Sequence, residues 1–339
     1  ACAAHGVVSS LALARPMKNQ TIFVLANPAD PRMATLRQRL ADAKIIVGNS
    51  ADAFEKDSAE ATILYNWMSP SALFQNVFKM CPNLIWVHSL SAGLDKVMFP
   101  ELVASRVQLT NGTGVFSAAL GEFAIGAILY FAKDLRRMIR NQTAEKWEPF
   151  DVLRVARQTV GIFGYGDIGR AIASRSRAMG LTVLAVKRHL PAAGNADEFA
   201  EQIYTPENRI EMIRRCDYLA VSAPLTEETR GAIGKAEFAA MKPSAVVINV
   251  GRGPVIDEAA MLEALSSGRI KGAALDVFDR EPLPSGHPFY KMENVLLSPH
   301  CADHTPDWLD NAVQFFIEQF DRFRKGEPLL NVVDKKQGY

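Results

Sequence analysis

Three ionisable side chains could together bind a small organic acid and exchange a proton with it. Arg252, Glu281 and His300 each come shortly after an apolar segment of the kind that forms a buried strand. Histidine exchanges protons near neutral pH, a carboxylate beside it favours the protonated ring, and a guanidinium binds carboxylates through paired hydrogen bonds. Ligands of open parallel sheets bind beyond the carboxyl ends of the strands. The three side chains are therefore expected to converge at one such edge.

The segment 164–169 reads G-Y-G-D-I-G and has the glycine spacing of a dinucleotide-binding turn. It leaves the strand-like run 159–163 and enters the helical run 168–179, which is the context that this motif needs. Its glycines permit a tight turn, a close approach of the backbone to a pyrophosphate, and close packing of helix on strand. A glycine-rich turn without a ligand is the alternative. The residues expected to bind the cofactor here are Gly164, Gly166, Asp167, Ile168 and Gly169.

Two cations at the end of the next strand indicate which dinucleotide is bound. Sites for NAD usually have an acidic residue about 20 residues after the glycines, where it binds the ribose 2′-hydroxyl. This chain has Lys187 and Arg188 after the run 182–186, and no acid at that point. Cations bind a 2′-phosphate through charge-assisted hydrogen bonds. The pair predicts NADP(H) ahead of NAD(H), with solvated surface cations as the alternative.

Further segments complete a pattern that resembles the D-isomer-specific 2-hydroxyacid dehydrogenase family. They are the loop 89–95, N-G-T-G-V-F-S-A-A-L-G-E at 111–122, A-P-L-T-E-E-T at 223–229, and the segments 248–254, 274–283 and 297–300. Their order and spacing are specific, and the resemblance extends from residue 89 to the C-terminal helix. With its basic pair, the chain is most similar to NADP-dependent glyoxylate/hydroxypyruvate reductases. The resemblance implies hydride transfer from NADPH to a small 2-keto acid, such as glyoxylate or hydroxypyruvate, to give the D-2-hydroxy acid.

The resemblance also implies a role for each of the three ionisable residues. His300 would be the general acid in reduction and the general base in oxidation. Glu281 would bond the other ring nitrogen of His300 and orient the ring. Arg252 would bind the substrate carboxylate and polarise the carbonyl that is reduced.

Other positions match the family's binding residues. Asp276 would anchor the nicotinamide end of the cofactor, and Pro224 and Thr229 would complete the cofactor site. The loop residues expected to hold the substrate carboxylate through backbone amides, alongside Arg252 and His300, are Ser91, Ala92 and Gly93.

Three other interpretations of these motifs stay open. Transcriptional corepressors that resemble these enzymes use dinucleotide binding as a sensor, and such a protein would bind cofactor without significant turnover. A related oxidoreductase of an inorganic oxyanion such as phosphite would be active without any keto acid. His300, Cys301, Asp303 and His304 mimic a metal cluster, but Pro299 disfavours the helix that the two histidines would need, and no metal is expected. Asp303 and His304 would instead reshape the substrate pocket or cap the next helix.

Alternating strand-like and helical segments indicate an α/β chain, and its length favours two domains. The resemblance implies a Rossmann-type dinucleotide-binding domain, residues 114–304. It would be inserted in a smaller flavodoxin-like substrate domain, residues 1–113 plus 305–339. Chain crossings near Gly112 and Asp303 would act as hinges.

The composition of the chain indicates which kinds of partner and which cell compartment to expect. Lysine and arginine total 38 and acidic residues 37, and this balance indicates neither a nucleic acid nor a membrane surface as partner. The apolar run 115–132 contains Glu122 and is short for a membrane span, so we expect a buried helix that supports a homodimer. Four scattered cysteines indicate reduced thiols and a cytoplasmic protein. The acid-free start of the chain makes an organelle transit peptide over residues 1–16 an alternative to a start at Met17.

Overall fold

The computed structural model describes residues 20–190 and 197–338, so the transit-peptide hypothesis lies outside the described residues. The chain divides into two compact units. One unit contains the residues up to Val115 together with those from Asp307 onward, and the other contains Phe116–Pro306. Among the described residues, no helix combines the length and apolar character that crossing a membrane requires.

The first unit is a parallel α/β layer structure. Its strands are β1 Thr21–Leu25, β2 Lys44–Gly48, β3 Ala61–Asn66, β4 Trp86–Ser89 and β5 Gln108–Asn111. The connecting helices are α1 Arg32–Arg39, α2 Asp52–Glu55, α3 Ser71–Met80 and α4 Pro100–Ala104, and Trp308–Lys325 forms the C-terminal helix. The strand order β2-β1-β3-β4-β5 is that of flavodoxin-like folds. This part of the expected fold is confirmed.

Aromatic packing attaches the C-terminal helix to the sheet of the first unit. Phe316 stacks on Tyr65, with ring centroids 4.1 Å apart, and also on Trp86. Phe320 and Phe323, one and two turns further on, are buried as well. The helical spacing of these aromatic residues predicts such a core-facing stripe, because residues three and four positions apart share one face.

Among its described residues, the second unit contains seven parallel strands. They are β6 Thr159–Phe163, β7 Thr182–Val186, β8 Gln202–Tyr204, β9 Tyr218–Val221, β10 Val246–Asn249, β11 Gly272–Leu275 and β12 Val295–Leu297. Their order, β12-β11-β10-β9-β6-β7-β8, reverses direction between β6 and β9. This is the doubly wound order of dinucleotide-binding domains, with its switch point after β6. The Rossmann expectation is therefore confirmed.

Six α-helices are described in this second unit, besides its strands. They are α5 Ser117–Ala132, α6 Leu135–Thr143, α7 Asp167–Ala178, α8 Arg209–Arg215, α9 Lys235–Ala240 and α10 Glu258–Ser266. The apolar α5 packs along α7 within the unit, where Gly121 brings it close to the carbonyl of Ala171. Leu120, Ala124 and Ile128 of α5 are buried. The apolar run is thus explained by packing inside one unit.

Candidate active site

His300 and Glu281 form a direct hydrogen bond, although 19 positions separate them in the chain. The ring Nδ1 of His300 lies 2.8 Å from Oε2 of Glu281. The other oxygen of Glu281 accepts a bond from the backbone N–H of Phe278 at 3.0 Å, which fixes the carboxylate. His300 follows β12 and Glu281 follows β11, so adjacent parallel strands deliver both groups to the same edge of the sheet.

Arg252 belongs to the turn that follows β10, next to the loop of Glu281. Asn249 shapes this turn, because its amide donates to the carbonyl of Arg252 at 3.1 Å and its oxygen accepts from the N–H of Gly251 at 3.1 Å. Gly253 packs directly on the backbone of Phe278, and a Cβ there would lie 1.9 Å from that carbonyl carbon. Only glycine allows this contact between the two loops.

The surroundings of His300 raise the pKa of its imidazole above the ordinary value of 6.5. The hydrogen bond to Glu281 is the largest cause, burial acts in the opposite direction, and the charges of Glu281 and Asp276 add to the increase. The positive charge of Arg252 lowers the same pKa. The imidazole of His300 and the carboxylate of Glu281 thus meet in the second unit, and the turn of Arg252 packs against the loop of Glu281 through Gly253. A cation in this turn can bind an anion, and the histidine can transfer a proton.

Asp276 lies directly after β11 and is almost completely buried, with 1% of its surface exposed. Its Oδ1 accepts hydrogen bonds from the hydroxyl of Ser298 and from the backbone N–H groups of Cys301 and Ala302, at 2.5, 2.9 and 3.1 Å. These donors belong to residues on either side of His300 in the sequence. Ser298 is not among the residues predicted from the sequence. The one sequence signal for it is a hydroxyl residue at the end of β12, the strand next to that of Asp276.

The turn between β6 and α7 has the shape that a bound pyrophosphate requires. A Cβ at Gly169 would lie 2.4 Å from the carbonyl oxygen of Gly164, so helix and strand can approach only with glycine there. Gly166 precedes the first turn of α7, and a Cβ added to it would meet no atom of the described residues within 4 Å. Asp167 and Ile168 begin the helix. The residues present therefore fit a dinucleotide.

Tyr165 and Arg170 connect this turn to Asp197, a residue that is not among those predicted from the sequence. The hydroxyl of Tyr165 donates to Oδ1 of Asp197 at 2.5 Å, and Arg170 forms an ion pair with Oδ2 of the same carboxylate. Asp197 also accepts from the backbone N–H groups of Phe199 and Ala200. Because these partners lie far apart in the chain, no local sequence pattern predicts their contact.

The basic pair directly follows β7, next to the glycine turn. The carbonyl of Val186 accepts bonds from the N–H groups of Gly164 and Tyr165, at 3.3 and 3.0 Å, so the end of β7 adjoins the turn. Lys187 is exposed, whereas Arg188 forms an ion pair with Glu228. The sequence alone did not indicate this carboxylate partner.

The segment 223–229 forms a turn that its own side chains hold. The hydroxyl of Thr229 donates to the carbonyl of Pro224 at 2.6 Å and accepts from the N–H of Thr226 at 2.8 Å. These bonds position Glu228 beside Arg188. Thr229 therefore stabilises the turn itself. Its expected position near the cofactor is a separate prediction.

In the first unit, the loop Ser91, Ala92 and Gly93 follows the carboxyl end of β4. The carbonyl of Ser91 accepts from the N–H of Gly112 at 3.3 Å, and the carbonyl of Ala92 accepts from the amide of Asn111 at 2.7 Å. Residues at the end of β5 thus hold the loop by donating hydrogen bonds to the carbonyl groups of Ser91 and Ala92.

The segment 300–304, whose side chains mimic a metal cluster in the sequence, is not helical. His304 Nε2 lies 3.9 Å from Oδ1 of Asp303, and burial raises the pKa of that carboxyl group. Among residues 20–190 and 197–338, no three histidine, cysteine or acidic side chains are arranged to hold a metal ion.

Comparison with known proteins identifies relatives of this chain. A sequence model of the D-isomer specific 2-hydroxyacid dehydrogenase, NAD binding domain, matches residues 125–302. The chain is 30% identical over 272 residues to a glyoxylate reductase of Korarchaeum cryptofilum, covering 77% of this chain and 79% of the relative. It is 26% identical over 327 residues to a D-3-phosphoglycerate dehydrogenase of Methanocaldococcus jannaschii, covering 94% of this chain and 58% of the relative.

A solved structure has the same fold. The NADPH-dependent glyoxylate/hydroxypyruvate reductase of Sinorhizobium meliloti, in complex with NADP and sulfate, superposes with a TM-score of 0.79. It is 28% identical, and the match covers 95% of this chain and 100% of that one. The fold and the site define an oxidoreductase that uses a nicotinamide dinucleotide. The chain belongs to the D-isomer-specific 2-hydroxyacid dehydrogenase family.

Proposed function

We propose that this protein uses NADPH to reduce a small 2-keto acid, such as glyoxylate or hydroxypyruvate, to the D-2-hydroxy acid. The observation that carries the proposal is the 2.8 Å bond between His300 Nδ1 and Glu281 Oε2, in loops next to the turn that carries Arg252. A general acid, an orienting carboxylate and a cation that binds carboxylates are the groups that this reaction requires.

His300 supplies the proton. Because Nδ1 is engaged by Glu281, the ring atom that exchanges a proton with the substrate oxygen is Nε2. Glu281 stabilises the protonated ring and keeps its orientation. In reduction His300 gives a proton to the oxygen of the former carbonyl, and in oxidation it accepts a proton from the hydroxyl.

Arg252 binds the carboxylate of the substrate and polarises its carbonyl group. A planar guanidinium can contact both groups at once, because its donors point in fixed directions. The backbone amides of Ser91, Ala92 and Gly93 are proposed to hold the same carboxylate. Substitution of Arg252 should therefore damage substrate binding and turnover together.

The cofactor is held by residues of the second unit. Segment 164–169 binds the pyrophosphate, Lys187 and Arg188 bind the 2′-phosphate, and the turn with Pro224 and Thr229 borders the cofactor. Since Oδ1 of Asp276 already accepts three bonds, Oδ2 would anchor the nicotinamide end. The bound dinucleotide supplies the hydride. The cations after β7 and the NADP-bound relative of S. meliloti support NADP(H) over NAD(H).

Residues 114–304 are proposed to act as the dinucleotide-binding domain, and residues 1–113 plus 305–339 as the substrate domain. We also propose a homodimer. Apolar side chains of α6 and the segment after it are exposed, including Ile139 at 60% and Trp147 at 97%. Exposed apolar patches on a folded chain typically mark an interface. The mass of the protein in solution, by light scattering, tests this state.

A substrate and cofactor panel tests the proposed function. Glyoxylate, hydroxypyruvate, pyruvate and phenylpyruvate are each assayed with NADPH and with NADH. We expect turnover with at least one of the first two, a preference for NADPH, and a loss of kcat in His300→Ala. Near-full turnover of His300→Ala would refute the mechanism, and a clear preference for NADH would refute the cofactor assignment.

Two outcomes of the same panel identify other functions. Tight cofactor binding without turnover would favour a dinucleotide-sensing, corepressor-like protein. Activity on an inorganic oxyanion such as phosphite, with none on keto acids, would favour the third interpretation.

A further inference from the structure

Ser298 and Asp276 occupy matching positions on neighbouring strands. In the parallel pair of β11 and β12, Leu275 is opposite Leu297, so the next residue of each strand is Asp276 and Ser298. The N–H of Ser298 donates to the carbonyl of Leu275 at 2.9 Å and continues the sheet bonding by one residue. Both side chains are buried, with 1% of Asp276 and 8% of Ser298 exposed. The register of the sheet therefore fixes this pair.

One oxygen of the buried carboxylate collects three donors from the loop that carries His300. The hydroxyl of Ser298 donates at 2.5 Å, and the N–H groups of Cys301 and Ala302 donate at 2.9 and 3.1 Å. A buried carboxylate is stable only when such bonds replace its lost hydration. Since these donors lie two residues before and one and two residues after His300, they fix both sides of its backbone.

His300 itself has a left-handed backbone conformation, with φ of 53°. Residues other than glycine adopt this conformation only where the surrounding structure holds it. The loop could relax by turning His300 away from this φ, and the ring would then leave Glu281. The three bonds to Asp276 oppose that relaxation.

We propose that Ser298 is a positioning residue whose hydroxyl, through Asp276, holds His300 where its Nδ1 meets Glu281. Ser298 does not itself contact the substrate in this role. The role rests on the proposed function of His300 as the proton donor. It also links two parts of the site, because the carboxylate that holds the loop is the one proposed to anchor the nicotinamide end of the cofactor.

Ser298→Ala tests this role, because it removes one donor and leaves the others in place. We expect kcat for keto-acid reduction to fall about tenfold, the effect of losing a hydrogen bond to a charged group, while KM for the keto acid changes little. The loss of activity at high pH should begin at lower pH than in the wild type. This shift follows if the ring moves from Glu281, while the charges of Asp276, Arg252 and Asp303 still act on it.

A measurement without substrate separates positioning from general damage. The protonation of His300 can be followed by NMR in protein labelled with ¹⁵N-histidine, and His300→Ala assigns the signal. We expect the His300 pKa to be lower in Ser298→Ala than in the wild type. Ser298→Thr retains a hydroxyl and should restore both the pKa and kcat.

Ser267→Ala is the matched control, because its hydroxyl also donates one short bond, to the carbonyl of Glu263 at 2.7 Å, at the end of α10. It should leave kcat and the His300 pKa unchanged. If Ser298→Ala does not fold, Ser298→Cys takes its place, since a thiol is a much weaker donor of similar size. This variant is assayed with a reductant that prevents a disulfide with Cys301.

A folded Ser298→Ala or Ser298→Cys with wild-type kcat and wild-type His300 pKa would overturn the positioning role. So would a Ser298→Thr variant as impaired as Ser298→Ala. Either result leaves the proposed function standing, as long as His300→Ala has lost turnover. Retained turnover in His300→Ala would instead refute the proposed function, and the NMR measurement would still report whether Ser298 positions the ring.

Discussion

The guanidinium of Arg188 forms an ion pair with the carboxylate of Glu228, which lies 40 residues further along the chain. Arg188 follows β7 beside the glycine turn, and Glu228 belongs to the turn 223–229 that Thr229 stabilises. The side chain of Glu228 is 69% exposed and can leave the pair at little cost. If Arg188 binds the 2′-phosphate of NADPH, Glu228 competes with that phosphate for the same cation.

Replacement of Glu228 should therefore strengthen the binding of NADPH. An exposed ion pair is worth roughly 0.2–1 kcal/mol, so Glu228→Gln should lower the Kd for NADPH by up to about fivefold and leave the Kd for NADH unchanged. Titration calorimetry with each cofactor measures both values. Glu227→Gln is the control for the loss of one negative charge nearby.

A double variant checks that the effect passes through Arg188. In an Arg188→Ala background, NADPH should bind about ten to a hundred times more weakly, and Glu228→Gln should then bring no gain. An equal gain in both backgrounds, or weaker NADPH binding by Glu228→Gln alone, would contradict the competition.

The pH dependence of reduction should report the bond between His300 and Glu281. Reduction needs a protonated His300, so kcat/KM should be constant below the pKa of His300 and fall as the pH rises through it. Glu281 raises that pKa, and Glu281→Gln should move the fall in activity to lower pH. Rate profiles between pH 5 and 10 measure the shift. Asp279→Asn, an exposed carboxylate near the same loop, should keep the wild-type profile, and an unshifted Glu281→Gln would show that Glu281 does not act on His300.

The second and third glycines of the cofactor turn, Gly166 and Gly169, should respond differently to alanine. Gly166→Ala meets no described protein atom and should leave the melting temperature unchanged or slightly higher, while the added methyl obstructs the pyrophosphate and weakens cofactor binding. Gly169→Ala forces a Cβ to 2.4 Å from the carbonyl oxygen of Gly164 and should lower the melting temperature. Thermal unfolding and cofactor titration of both variants measure these effects. Unaltered cofactor affinity in Gly166→Ala would exclude this turn as the pyrophosphate site.

The sequence predicted the meeting of His300 with Glu281 because both groups follow strands. In a parallel sheet the carboxyl ends of all strands lie at one edge, so the type and order of the strands suffice to bring such residues together. The glycine turn was equally predictable, since its spacing between a strand and a helix has a steric cause. The strand order of both sheets agrees with the expected fold.

Contacts that depend on exact register or on distant loops were not predictable. The bond between Ser298 and Asp276 exists only because Leu275 is opposite Leu297, and a shift by one residue would turn the hydroxyl to the other face. Arg188 and Glu228 meet through two loops that carry no common pattern. The apolar composition of 117–132 predicted a buried helix, but it did not predict that α7 is the partner. The hydrophobic effect is non-directional, so composition alone cannot specify a partner.

A buried histidine should make the first unit sensitive to acid. His88 is almost fully buried on β4, with Nδ1 2.8 Å from the hydroxyl of Thr110, and burial lowers its pKa to about 3. Since the pKa is lower in the folded than in the unfolded chain, stability is complete above the unfolded value of about 6.5 and declines as the pH falls toward the folded value. Between pH 7 and pH 5 this group should cost about 2 kcal/mol of unfolding free energy.

Urea unfolding at pH 7 and pH 5, followed by tryptophan fluorescence, measures that loss. His88→Gln should be less stable than the wild type at pH 7, because it disturbs a packed site, but its stability should change less between the two pH values. His189→Gln, at an exposed position, should keep the wild-type difference. If His88→Gln loses as much stability on acidification as the wild type does, His88 is not the group that titrates on unfolding.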